Sequence, residues 1–125
     1  MRVLVADDSA TVRRLVAARL TADGHDVIEA EDGEQALQLA LDEGPAAIVL
    51  DKVMPKLDGF EVVRRLSERV DSKRPPIVML TEKAGEEDVL GGLDLGVEEY
   101  MPKPFSPREL SVRVKRVLER TDSET

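Results

Sequence analysis

The sequence has no cysteine and no tryptophan, a single histidine (His25), and three aromatic residues in all: Phe60, Tyr100 and Phe105. Without thiols there is neither a disulfide framework nor a thiolate metal site, which agrees with a reducing compartment. Without large rings the core has to be filled by Val, Leu, Ile and Ala, which make up most of the 42% apolar content. No apolar run comes near the roughly 20 residues that span a bilayer, and residues 1–8 have no signal-peptide character. A basic surface is missing too. The 18 Lys and Arg stand against 26 Asp and Glu, a net charge of −8. The most basic stretch, 108–120, is interleaved with Glu109 and Glu119 on a helical pattern, as a solvated helix face would be. These absences argue against a membrane protein and against direct nucleic-acid binding, and the expectation is a globular, cytoplasmic one. A chain of 125 residues supports one core. The domain is expected over 1–120, with 121–125 a polar tail that could open a linker.

What is present is an alternation. Short apolar runs at 2–6, 26–30, 46–50, 76–80 and 98–101 read as strands, several of them nearly continuous, as strands covered on both faces should be. Between them fall helical spacings: Val12, Leu15, Val16 and Leu20; Leu37, Ala40 and Leu41; Val62, Val63, Leu66 and Val70; Leu110, Val114, Val117 and Leu118. Helix starts are marked by Asp32 with Gln35, Asp58 with Glu61, and Ser106 followed by Pro107 and Glu109, all side chains able to cap free N–H groups. Gly24 and Gly44 supply stops. A weaker helix is expected over 86–95, where Gly91 and Gly92 each cost about 1 kcal/mol relative to alanine. Strand and helix alternating in this way predict a three-layer, doubly wound α/β domain with five parallel strands in the flavodoxin-like order 2-1-3-4-5. Ligands of such sheets bind at the carboxyl ends of strands 1 and 3.

Asp7 and Asp8 follow the first strand and Asp51 the third, so this topology gathers three carboxylates from distant positions at one sheet edge. Left alone they would repel, and at least one would take up a proton unless a cation sat among them. Carboxylate oxygens with no His or Cys nearby suit a hard cation. Mg2+ in particular binds through few carboxylates, several waters and a substrate phosphate. Thr81 ends the fourth strand and Lys103 lies just past the fifth. A hydroxyl and an ammonium opposite a carboxylate-held metal form a clamp for a phosphoryl group, whose transfer asks mainly for charge neutralisation and in-line positioning. A carboxylate can itself be the nucleophile, giving an acyl phosphate.

Over about its first 120 residues the chain resembles a response-regulator receiver domain of two-component signalling. The residues that carry the resemblance are Asp7-Asp8, Asp51 with Met54-Pro55 and Asp58-Gly59, Leu80-Thr81, and Lys103-Pro104-Phe105. The resemblance implies that Asp51 accepts a phosphoryl group from a sensor histidine kinase, a phosphotransfer protein or a small phosphodonor. It implies that Asp8 and Asp51 bind Mg2+ directly together with the carbonyl of Val53, and Asp7 through water. Lys103 would pair with the phosphoryl oxygens, Thr81 would move to hydrogen-bond one of them, and Tyr100 would be the aromatic switch that turns inward with it. Lys103-Pro104 matches a cis peptide. The shifts would bias the surface made by the last two helical segments and the fifth strand for partner binding, a phosphorylation-dependent homodimer included. Such a chain is a phosphoacceptor that assists its own phosphorylation and dephosphorylation rather than an enzyme.

Plainer readings exist for each residue alone. Asp8 or Ser9 could merely cap the first helix, Asp58-Gly59 form a turn, Thr81 end a strand, Lys103 lie on the surface, His25 sit in an exposed turn, and Tyr100 be half-buried packing with a wet hydroxyl. Two positions depart from the family pattern. Glu82 stands where a small residue usually follows the switch hydroxyl, and Val53 stands where a polar side chain could orient an attacking water. Lys52 is expected on the opposite face from Asp51. Two other functions compete: a constitutive interaction module, favoured only by Glu82, and a metal-dependent phosphatase, which would need an acid or base where Val53 stands.

Overall fold

A computed structural model describes residues 1–69, 74–82 and 96–123. The helix expected over 86–95 and most of the loop at 71–74 lie outside them. In chain order the elements are β1 (Arg2–Ala6), α1 (Ala10–Ala22), β2 (Asp26–Ala30), α2 (Gly33–Glu43), β3 (Ala47–Asp51), α3 (Gly59–Arg69), β4 (Ile77–Thr81), β5 (Glu99–Pro102) and α4 (Pro107–Ser123). The five strands are all parallel, in the order β2-β1-β3-β4-β5. This is the doubly wound arrangement expected from the alternation. The last helix runs to Ser123, into the segment expected to be a polar tail.

Three strands begin and end one residue later than the apolar runs. Pro76 has no N–H to give the ladder, so it stays outside and only its carbonyl takes part, accepting from the Ile48 N–H at 3.0 Å. At the other end pairing outlasts hydrophobicity. Asp51 lies opposite Leu80 and Thr81 opposite Pro102, so both polar residues are inside their strands, not after them. Backbone pairing does not depend on side-chain polarity, which is why the apolar pattern underestimates these ends.

Alternate strand residues face two separate cores. Leu4, Ala6, Ile48, Leu50, Ile77 and Met79 pack with Ala36, Leu37 and Ala40 of α2 and Val62, Val63 and Leu66 of α3. Val3, Val5, Val49, Val78 and Leu80 pack with Val16 and Leu20 of α1 and Leu110, Val114 and Val117 of α4. The sheet is thus a middle layer with helices on both faces. On α1 the inward stripe is Arg13, Val16, Ala17 and Leu20. Leu15, expected inside, is 50% exposed.

Every expected capping side chain is engaged. Ser9 Oγ accepts from the Val12 N–H, Asp32 Oδ1 from Gln35, Asp58 Oδ1 from Glu61 and Ser106 Oγ from Glu109. Gln35 reaches past the cap residue and accepts from the Glu31 N–H, whereas Glu61 turns to Arg64 and Arg65. Gly44 ends α2 at φ 53°, a left-handed conformation. His25 departs from the exposed turn residue expected: it is half-buried, with its ring Nδ1 buried and without a hydrogen-bond partner.

Candidate functional site

At the carboxyl edge of the sheet, Asp7 comes directly after β1 and is completely buried. Its N–H donates to the Ala30 carbonyl at 3.2 Å, so the β1–β2 ladder carries on through it. Its Oδ1 accepts from the Ser9 N–H at 2.9 Å and its Oδ2 from Lys103 Nζ at 3.1 Å. Asp51 closes β3 and is 5% exposed. Its carboxylate accepts from the Val53 N–H and lies 3.4 Å from the same Lys103 Nζ. Asp8 is exposed, and carboxylate oxygens of Asp7, Asp8 and Asp51 lie within 4.8 Å of one another. Thr81, 3% exposed at the end of β4, accepts at its carbonyl from the Lys103 N–H at 2.7 Å. That bond fixes where the lysine leaves the sheet. Lys103-Pro104 is cis.

The electrostatics follow from this crowding. Burial, then the charge of Asp7, push the Asp51 carboxyl from 3.8 up to about 7, against the pull of Lys103 and the Val53 N–H. Burial pulls the Lys103 ammonium down, but its hydrogen bond to Asp7 and the charges of Asp51 and Asp7 outweigh this and hold it above its ordinary value. Three carboxylates around one ammonium are short of positive charge, and among the described residues the acidic, His and Cys side chains that gather here offer carboxylate oxygens alone. The residues therefore fit a hard divalent cation such as Mg2+.

The β3–α3 loop is seated by two glycines. A Cβ on Gly59 would come within 2.6 Å of the Asp51 carbonyl oxygen, and the Gly59 N–H donates to the Lys52 carbonyl at 2.7 Å. A Cβ on Gly33 would meet Leu57, and the Gly33 N–H donates to the Pro55 carbonyl at 3.3 Å. Beside the site, Val12, Leu15, Glu82, Lys103, Pro104 and Phe105 line a groove of about 490 Å³.

A model of the response regulator receiver domain matches residues 3–115. The chain belongs to the response-regulator receiver family. It is 48% identical over 121 residues to the alkaline phosphatase synthesis transcriptional regulatory protein PhoP of Bacillus subtilis, covering 97% of this chain and 50% of that protein. The chain thus spans about half the length of the curated relatives it matches. Among solved structures it resembles the receiver domain of a Francisella response regulator, with TM-score 0.89 and 33% identity over 96% of this chain and 98% of that one. It also resembles the chemotaxis protein CheY4 of Vibrio cholerae, with TM-score 0.87 and 34% identity over 93% and 97%. Receiver domains are signalling domains, and this one has the flavodoxin-like topology of its solved neighbours.

Within this receiver domain Asp7, Asp8, Asp51, Thr81 and Lys103 stand together at one edge. Val53 is in the adjoining loop, its side chain 69% exposed. Lys52 extends over the Phe60 ring, 5.5 Å from its centroid. Tyr100 is half-buried on β5, edge-on to Phe60 at 6.5 Å, and its hydroxyl is buried, not wet. Arg13 was not foreseen: it is buried and donates to the Asp7 carbonyl at 2.9 Å. The signal was the phase of the α1 stripe, because Arg13 precedes Val16, Ala17 and Leu20 at helical spacing on the inward face.

Proposed function

We propose that this chain is a phosphorylatable receiver of a two-component system, taking a phosphoryl group onto Asp51 from a histidine kinase, a phosphotransfer protein or a small phosphodonor, with Mg2+ bound. The observation that carries this is the meeting of Asp51 with two other carboxylates and one ammonium inside 4.8 Å and 3.4 Å respectively. A carboxylate so placed has a metal's partners on one side and a phosphate's counter-charge on the other.

Asp8, Asp51 and the Val53 carbonyl would hold the cation directly, with Asp7 acting through water. Bound there, Mg2+ supplies positive charge to the phosphoryl oxygens. An Asp51 carboxylate oxygen attacks phosphorus and the bond from phosphorus to the donor's imidazole nitrogen, or to the acyl oxygen of a small donor, breaks. Lys103 gives up its contact with Asp51 to pair with the new phosphoryl oxygens. Thr81 donates its hydroxyl to one of them, and Tyr100 moves with it, shifting β5 and α4. The altered surface binds a partner, and a homodimer through it is one such outcome. Each chain modifies its own aspartate, so the role is that of a switch and not of a turnover enzyme. A cytoplasmic location belongs to the same reading.

Beryllofluoride with Mg2+ tests this by imitating the phosphoryl group without chemistry. Amide NMR signals of Thr81, Tyr100 and Lys103 are expected to move in the wild type and to stay in Asp51→Asn. No movement in the wild type would favour a constitutive interaction module, the reading that Glu82, exposed beside Lys103 in the groove, supports.

A further inference from the structure

Four polar residues are buried among the described ones: Asp7, Asp51, Thr81 and Arg13. Three form the site, and Arg13 has no part in the chemistry above. A guanidinium on the inward stripe of a helix is costly to bury unless its hydrogen bonds are met. Arg13 meets them in two directions. Its Nη1 donates to the Asp7 carbonyl at 2.9 Å, and its Nε donates to Glu29 Oε1 on β2 at 3.2 Å. The Asp7 carbonyl belongs to the peptide that joins Asp7 to Asp8. A donor fixed there sets the rotation of that peptide, and with it the relative aim of the two carboxylates on either side. On its other side Asp7 is held by Ala30, the neighbour of Glu29.

We propose that Arg13 is a positioning residue for the divalent-cation site, orienting the Asp7–Asp8 peptide so that both carboxylates address one ion, with Glu29 aiming the guanidinium. The inference rests on the reading that this site binds Mg2+. Its sign separates it from a plain charge effect. A cation at position 13 repels Mg2+, so neutralising it should tighten metal binding if charge were all that mattered. Loss of positioning weakens it. Lysine keeps the charge but offers one compact ammonium in place of a planar fork, and cannot reproduce both bonds at their present angles.

The test is the Mg2+ dissociation constant, measured by calorimetry and by amide NMR titration on the wild type, Arg13→Lys, Arg13→Gln, Glu29→Gln and Arg14→Gln. Arg14 is the exposed neighbour on α1 and controls for the change in charge. Both Arg13 variants are expected to raise the constant about tenfold and Glu29→Gln about threefold, at or below the low end for residues that orient metal ligands. Arg14→Gln is expected to stay close to the wild type. Wild-type affinity in Arg13→Lys and Glu29→Gln, or tighter binding in Arg13→Gln, would overturn the proposal. Should Arg13→Gln fail to fold by circular dichroism, Arg13→Lys still decides it, because it keeps the charge and loses only the two-directional bonding. No Mg2+ binding by the wild type would overturn the underlying reading instead.

Discussion

The Asp51 carboxyl is pushed up to about 7 because it is buried beside Asp7. In the metal-free protein the folded state therefore keeps a proton that the unfolded chain releases near 3.8. The stability tied to that proton is fully present below the unfolded value and is lost as pH rises through about 7. Asp51→Asn cannot ionise. Denaturant unfolding without metal should show it gaining on the wild type by on the order of 2 kcal/mol between about pH 5 and pH 8. A difference that stays flat with pH would contradict the burial argument. Glu82 and Val53 are expected to act on rate. Removing one like charge near the entry in Glu82→Ala should speed uptake from acetyl phosphate about threefold at low ionic strength, and the gain should fade with salt. Slower or unchanged uptake would refute it. The exposed Val53 cannot orient a water, so Val53→Asn should shorten the life of the phosphoryl group, measured as loss of label; equal lifetimes would count against it. At this scale the acidic site was legible because its residues are polar where strand runs stop. Arg13 was not, since a charge within a helical segment reads as solvent-facing until the phase of the buried stripe is known.

Among elements, the β3–α3 turn is the most constrained. Gly59→Ala would drive a Cβ into the Asp51 carbonyl, and backbone offers no flexible end to move aside. Overpacking of this kind costs about 1–3 kcal/mol. Because the atom displaced belongs to Asp51, the variant should also lose phosphoryl uptake, read by labelling beside a melting curve. Ser106→Ala is the contrasting case: it removes the cap on α4, costs about 1 kcal/mol, and should leave uptake unchanged. The caps could be read from sequence since each depends on residues three apart. Strand ends could not, because pairing continues through Asp51 and Thr81 after the apolar signal stops.

For the whole molecule, topology was the most readable property. Near-continuous apolar strands demand cover on both faces, right-handed crossovers supply it, and the order β2-β1-β3-β4-β5 brings residues 7, 8, 51, 81 and 103 to one edge. The division of the interior into two cores was less readable. It depends on which alternate residue of each strand faces which helix pair, as with Leu4 and Val5. On the proposed reading the same topology singles out Asp51 as the acceptor, since no other described carboxylate at that edge is both buried and at the end of the central strand. Mass spectrometry of wild type and Asp51→Asn after incubation with acetyl phosphate and Mg2+ tests this most directly. The wild type should gain one phosphoryl group and Asp51→Asn none; no gain in the wild type, or the same gain in both, would contradict it.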